Sequence, residues 1–214
     1  MLENELRERM VETQVEARGI RDPRVLAALR AVPRHRFVRR RDASLAYEDR
    51  PLPIGEGQTI SQPYIVALMA EAARLRPTDR VLEIGTGSGY GAAVLAELAA
   101  EVVTVERIAA LASIAKSRLE ALGYDNVEVR HENGSVGWPS GAPYDAIVCT
   151  AAAPEVPDPL VQQLQPDRGR LVIPVGTRQR QTLLRVVRQG AEAEVHDLGP
   201  VAFVPLVGEA AYAS

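Results

Sequence analysis

The sequence predicts an α/β fold: a doubly wound, mostly parallel sheet with late antiparallel strands, preceded by a helical N-terminal extension. Three observations carry that reading. From Arg80 onward, short apolar runs alternate with helical segments, the order expected of parallel strands with helices on both faces. The first of those runs, Val81-Leu82-Glu83-Ile84, feeds directly into a cluster of glycines. Residues 1–77 hold amphipathic helices and a loop rich in turn formers instead. With 214 residues the chain has the length of one good-sized domain. Residues 1–77 form its N-terminal part and 78–214 its ligand-binding core.

Leu2, Leu6, Met10, Val11 and Val15 recur at helical spacing among acids and arginines, so residues 2–18 read as one amphipathic helix closed by Gly19. Asp22-Pro23 is a helix cap followed by proline at the first helical position, opening a second helix to about Val32. Arg34, Arg36, Arg39, Arg40 and Arg41 then cluster. The plain reading is a solvated loop and the sharper one an anion or nucleic-acid patch. Residues 1–50 carry 12 basic and 9 acidic side chains against 13 and 19 in the remainder, an asymmetry too mild to decide. Residues 51–62 read as a loop with a short extended piece at 58–61. Pro63 starts a helix to about Arg74, with Ser61 or Gln62 at its cap. Strands follow at 80–85, 101–106, 126–131, 144–150 and 170–176, with helices at 90–100, 108–122 and 158–164. Residues 182–189 and 195–208 are late strands that include an antiparallel pair.

Composition narrows the function. Apolar types make up 46% and charged types 25%, which argues against a largely disordered chain. The lone cysteine, Cys149, excludes an internal disulfide and a Cys-rich metal site, and suits a reducing cytoplasm. The charged N-terminus is unlike a signal peptide, and no run approaches about 18 uninterrupted apolar residues, so a cytoplasmic protein with no membrane partner is expected. A net charge of −3 is unlike a nucleic-acid binder. Of 25 basic residues only Lys116 is lysine, which leaves Schiff-base chemistry one candidate. His35, His131 and His196 are scattered and read as surface or structural. Cys149 reads as a buried, inert thiol, and Trp138 either packs near a ligand or covers a loop.

The strongest local signal is Val81-Leu82-Glu83-Ile84-Gly85-Thr86-Gly87-Ser88-Gly89-Tyr90-Gly91. A strand enters a glycine turn and a helix follows, which places a ligand at the strand's carboxyl end. The frame Gly87–Gly89–Ala92 also satisfies the dinucleotide pattern, so a nicotinamide or flavin cofactor stays open. Glu83 near its strand end can hold an ammonium group. Glu106, 21 residues after Gly85, can accept from both ribose hydroxyls, a feature shared with dinucleotide sites. Glu132-Asn133-Gly134 forms a polar turn at the edge where an adenine would lie.

Together these features resemble the class I, Rossmann-like methyltransferases that use S-adenosylmethionine. Ile54-Gly55-Glu56-Gly57-Gln58-Thr59-Ile60-Ser61-Gln62-Pro63 resembles, more specifically, the signature of protein-L-isoaspartate O-methyltransferases. Residues 32–38, 46–55, 143–164, 169–176 and 203–208 fall in that family's order and spacing, so the resemblance covers nearly the whole chain and makes residues 1–77 part of one methyltransferase domain. It implies methyl transfer to the α-carboxylate of L-isoaspartyl residues in damaged proteins, with the ester closing to succinimide and returning some chains to normal aspartate. It implies Ser61 as the catalytic residue. Glu83, Gly85, Thr86, Gly87, Ser88, Gly89, Glu106, Arg107, Asn133 and Gly134 are implied at the cofactor. Thr59, Ile60, Val204, Pro205 and Leu206 are implied at the substrate. No metal is expected; the partners are isoaspartyl proteins or peptides rather than nucleic acid, and the chain is expected to be a monomer. One departure stands out: the family usually has Asp-Gly where this chain has Asn133-Gly134, which keeps a carbonyl acceptor and loses the charge. Two other methyltransferases share many of these motifs: an aspartate O-methyltransferase dedicated to one precursor peptide, and an RNA methyltransferase using the arginine cluster. A non-enzymatic or dinucleotide-binding domain is the remaining alternative.

Overall fold

The structure, a computed structural model, describes residues 2–209, 211 and 212. Its first segment departs from the single helix expected over 2–18. Helix α1 (Leu2–Met10) passes into a π-helical turn (Val11–Val15) and a short 3-10 turn (Glu16–Arg18) that Gly19 ends at φ 102°. The wider turn carries Met10, Val11 and Val15 into the core together, each fully buried. Helix α2 (Pro23–Ala31) starts as its sequence dictates: Asp22 accepts the Arg24 N–H at 2.8 Å and proline occupies the first turn.

The 51–62 segment is more ordered than a loop. Strands β1 (Leu52–Gly55) and β2 (Gln58–Ile60) pair antiparallel, with Leu52 opposite Ile60, around a turn in which Gly55, Glu56 and Gly57 all have positive φ. Helix α3 (Pro63–Ala73) follows at once. Its cap is supplied from a distance: Asp49 accepts the Tyr64 N–H and the Gln62 side-chain amide.

The main sheet contains β3 (Arg80–Ile84), β4 (Glu101–Glu106), β5 (Val127–His131), β6 (Ala146–Cys149), β7 (Arg170–Gly176), β8 (Gln181–Gln189) and β9 (Glu192–Val201), in the order β5-β4-β3-β6-β7-β8-β9. The first five pair parallel; β8 and β9 are antiparallel. Helices α4 (Tyr90–Ala96), α5 (Ala109–Ala121) and α6 (Asp158–Gln162) form the crossovers. The chain builds outward from β3 to β5 and then returns to place β6 on the other side of β3. That reversal opens a crevice at the carboxyl ends of β3 and β6, where ligands bind in open α/β sheets. Strand alternation divides the core into two faces. Val81, Val102, Val148 and Val172 face the cluster that also holds Met10, Leu29 and Phe37, whereas Leu82, Val103, Ile147 and Leu171 face the cluster with Tyr144 and Leu160.

The expected strand over 195–208 is two things. Strand β9 ends at Val201, and the chain then leaves the sheet. Ala152 donates to Val204 O at 2.8 Å, and Leu206 donates back to Ala152 O at 2.7 Å. Pro205 interrupts the donor pattern a longer strand would need, and the detour carries 204–206 over the carboxyl end of β6.

Candidate active site

The turn after β3 is built around close approaches. Gly85 has φ 95°, and a Cβ there would lie 2.4 Å from Thr150 Oγ1. Thr150, one residue past β6, shares its hydroxyl proton between Gly85 O (2.7 Å) and Ile84 O (3.1 Å), tying the two strand ends across the crevice. Gly89 caps α4 with φ 89°, and its Cα faces Ala115 and Leu119 of α5.

Glu83 points from β3 into the crevice and is 1% exposed. Burial pushes its carboxyl up to about 8, against the pull of a 2.6 Å hydrogen bond from Thr104 Oγ1, with the charge of Glu106 adding to the rise. Thr86 Oγ1 lies 2.6 Å from the same threonine hydroxyl. With Glu83 ionised, Thr86 donates to Thr104 and Thr104 to Glu83. The carboxylate also lies against α4: a Cβ on Gly91 would stand 2.2 Å from Glu83 Oε1. At the tip of β4, Glu106 accepts the Gly87 N–H and the Ile108 N–H, one on each oxygen, both at 2.9 Å. Each oxygen keeps a second lone pair. Asn133 uses Oδ1 to accept the Ser135 N–H at 3.1 Å, while Gly134 is buried where a Cβ would meet Ile84 Cγ2 at 2.8 Å.

These groups line one cavity of about 420 Å³, within the range of small-molecule sites. Its other wall is the β1–β2 hairpin and the crossing segment: Thr59, Ile60 and Ser61 on one side, Val204, Pro205 and Leu206 on the other. Glu83, Gly85, Thr86, Gly87, Ser88, Glu106, Arg107, Asn133 and Gly134 all lie on the lining; Gly89 lies behind it. Tyr90, Gly91, Ile108 and Thr150 line the cavity as well, and sequence reasoning had not marked them as site residues. Thr150 was legible in principle as the first polar residue after an apolar strand.

A second cavity of about 900 Å³ opens between the start of α3 and residues 198–204. Thr59, Ser61, Thr150 and Val204 line both cavities. Ser61 therefore stands where they meet. Its carbonyl accepts from Arg34 Nη2 at 2.8 Å. Its hydroxyl has no hydrogen-bond partner among the described residues, and the Tyr64 N–H at the start of α3 is taken by Asp49, so the hydroxyl is not spent on the helix.

The arginine cluster is not a continuous patch, because Arg34 is fully buried while Arg36, Arg40 and Arg41 are exposed. His35 bonds the Tyr47 hydroxyl at 2.7 Å, His131 is exposed, and His196 lies by Glu194 on β9. Burial pushes the Cys149 thiol up to about 12, and it donates to Ala151 O. Trp138 lies off the cavity, its ring under Arg130. Among the described residues no group of three His, Cys, Asp or Glu side chains is placed to hold a metal ion, and no helix is long and apolar enough to cross a membrane.

Comparison with known proteins gives concordant matches. The family described as protein-L-isoaspartate(D-aspartate) O-methyltransferase (PCMT) matches residues 4–211. The chain is 58% identical over 203 residues to the protein-L-isoaspartate O-methyltransferase of Methanoculleus marisnigri, covering 95% of this chain and 92% of that one. It is 59% identical over 204 residues to the protein of the same name from Methylorubrum extorquens, covering 95% and 89%. Among solved structures, a protein-L-isoaspartate O-methyltransferase superimposes with TM-score 0.85 at 30% identity, over 95% of this chain and 66% of that chain. A Plasmodium falciparum structure described under the same enzyme name, in complex with S-adenosyl-L-homocysteine, superimposes with TM-score 0.81 at 25% identity, over 94% and 98%.

Proposed function

The chain belongs to the protein-L-isoaspartate O-methyltransferase family, and from that premise we propose how its two cavities divide the reaction. The activity is methyl transfer from S-adenosylmethionine to the carboxylate of L-isoaspartyl residues in proteins. The cofactor fits the cavity at the carboxyl ends of β3 and β4. Glu83 offers a buried acid for its ammonium group, Glu106 two free lone pairs for the ribose hydroxyls, and the packed Gly134 a flat surface for the adenine. When bound, it supplies a methyl group already activated on a sulfonium.

The acceptor carboxylate is ionised at neutral pH, so this chain needs no general base at the transfer point. What it must supply is placement. Holding acceptor and donor about 3–3.5 Å apart and in line is worth roughly 7–11 kcal/mol of barrier. That role falls to Ser61, whose hydroxyl donates to one carboxylate oxygen and leaves the other to face the methyl group. Thr59 and Ile60 form the wall along which the substrate peptide lies, and Val204, Pro205 and Leu206 form the opposite wall. Together they exclude competing water. The larger cavity between α3 and residues 198–204 is assigned to the peptide flanking the damaged residue. The observation that carries this reading is the position of Ser61 at the junction of both cavities, with its hydroxyl uncommitted.

Residues 1–77 and 78–214 act as one unit in this account, supported by the packing of Met10 and Leu29 in the same cluster as Val81. The enzyme is taken to work as a monomer in the cytoplasm, in keeping with its lone buried thiol. The test is a pair of peptides differing only in isoaspartyl against aspartyl linkage, offered with S-adenosylmethionine labelled in its methyl group. Label is expected on the isoaspartyl peptide alone; equal labelling of both would overturn the assignment.

A further inference from the structure

Arg34 is a fully buried cation that forms no salt bridge among the described residues, although the charge of Asp49 acts on it. Its partners are two carbonyls and an aromatic ring. Nε donates to Ala46 O at 2.8 Å, Nη2 donates to Ser61 O at 2.8 Å, and the guanidinium carbon lies 4.8 Å from the centre of the Tyr90 ring. The Tyr90 hydroxyl is buried as well and interacts electrostatically with the guanidinium. Removing a charge from water without an ionic partner is costly, and an apolar side chain of similar volume would fill the same space at lower cost. Packing alone therefore does not account for an arginine here. What an apolar residue could not do is join these parts: Ser61 belongs to the hairpin side of the site, and Tyr90 opens helix α4 behind the glycine turn and lines the cofactor cavity.

We propose that Arg34 is a positioning residue for methyl transfer, fixing the Ser61 backbone against Tyr90 so that the serine hydroxyl keeps one separation from the cofactor cavity. This rests on the assignment of Ser61 above. The planar fork serves two carbonyls at once while its face lies toward a ring. A lysine, a single point charge on a flexible stem, cannot reproduce that arrangement. Loss of the fork would leave the cofactor cavity lined as before and let the acceptor side drift.

The experiment is a double-mutant cycle on the full chain with an isoaspartyl peptide, reading kcat and the Kd for S-adenosylhomocysteine separately. Arg34→Lys is expected to lower kcat by about tenfold or more, the scale of a misplaced reacting group, while Kd changes by less than about twofold. In a Ser61→Ala background the same substitution is expected to cost less than about threefold, because the hydroxyl it positions is gone. Arg34→Met, which keeps the volume, is run through the same cycle in case the lysine variant does not fold. An equal kcat loss in both backgrounds, or a loss carried by Kd, would overturn the positioning role and leave the Ser61 assignment standing. If Ser61→Ala alone left kcat unchanged, the Ser61 assignment would fail first and this inference with it.

Discussion

Replacing Glu83 by glutamine should make the protein more resistant to heat at alkaline pH while weakening its hold on the cofactor. The native carboxyl titrates at about 8, against an ordinary value of 4.5. Its native pKa is raised, so the folded chain keeps a proton that the unfolded chain has released. The stabilisation this gives is complete below the ordinary value and is lost as pH rises toward the native one. Each pH unit in that window removes about 1.4 kcal/mol, and the whole window on the order of 5 kcal/mol. About 4 kcal/mol of that falls between pH 5 and pH 8.5; for a chain this long, about 2–4 °C of melting temperature follows each kcal/mol, so the parent should lose about 8–16 °C over that range from this group alone. Glutamine does not titrate. It can still accept from Thr104, but its N–H groups lie against Gly91 without an acceptor, a fixed cost of about 1–3 kcal/mol. That cost is the same at every pH, so the difference between pH 5 and pH 8.5 isolates the carboxyl. Thermal melts followed by circular dichroism across that range provide the assay. Glu83→Gln should gain on the parent steadily from pH 5 upward. A constant offset between the two proteins would refute the argument that this buried acid is retained at a cost to the fold.

Three further outcomes follow from the same geometry. Gly91→Ala places a methyl 2.2 Å from Glu83 Oε1; it should weaken S-adenosylhomocysteine binding by about tenfold or more in calorimetry, with circular dichroism unchanged. Asp79→Asn breaks the buried 2.6 Å pair with Arg170 and should cost about 3–5 kcal/mol, seen as a melting temperature lower by about 6–20 °C, with cofactor affinity retained. Asn133→Asp keeps the cap to Ser135 and adds a charged acceptor, and should tighten S-adenosylhomocysteine binding by roughly threefold to tenfold; an unchanged or weaker Kd would remove Asn133 from the adenine site.

The parallel core was legible because its strands are short runs rich in apolar and β-branched residues bounded by turn residues, as in Glu101–Glu106. Strand β8 was legible in the same way, and β9, rich in acids and holding Gly199-Pro200, was legible only from Val195 on. What the sequence hid are features decided by tertiary contact. Strand β1 is four residues with a proline inside, and it exists because Leu52 finds Ile60 across a turn of three positive-φ residues. The π-helical turn answers to where Met10, Val11 and Val15 must all be buried, which helical spacing alone does not encode. The end of β9 is set by a bridge to Ala152, more than forty residues away in the chain. At the site, the glycine turn and the two acids could be placed from strand ends alone. Tyr90 could not be singled out, because its role depends on which elements meet, and Thr150 offered only its place as the first polar residue after an apolar strand. Nothing local distinguishes Arg34 from its solvated arginine neighbours, because its burial depends on Ala46, Ser61 and Tyr90 meeting around it.

The central claim is that Ser61 orients the acceptor where the two cavities join. It is tested most directly by measuring kcat toward an isoaspartyl peptide and the Kd for S-adenosylhomocysteine in Ser61→Ala. The account predicts a fall in kcat of roughly 10–100-fold, the worth of a hydrogen bond to a charged group, with Kd unchanged. Turnover at the parent rate, or a defect lying wholly in cofactor affinity, would contradict it.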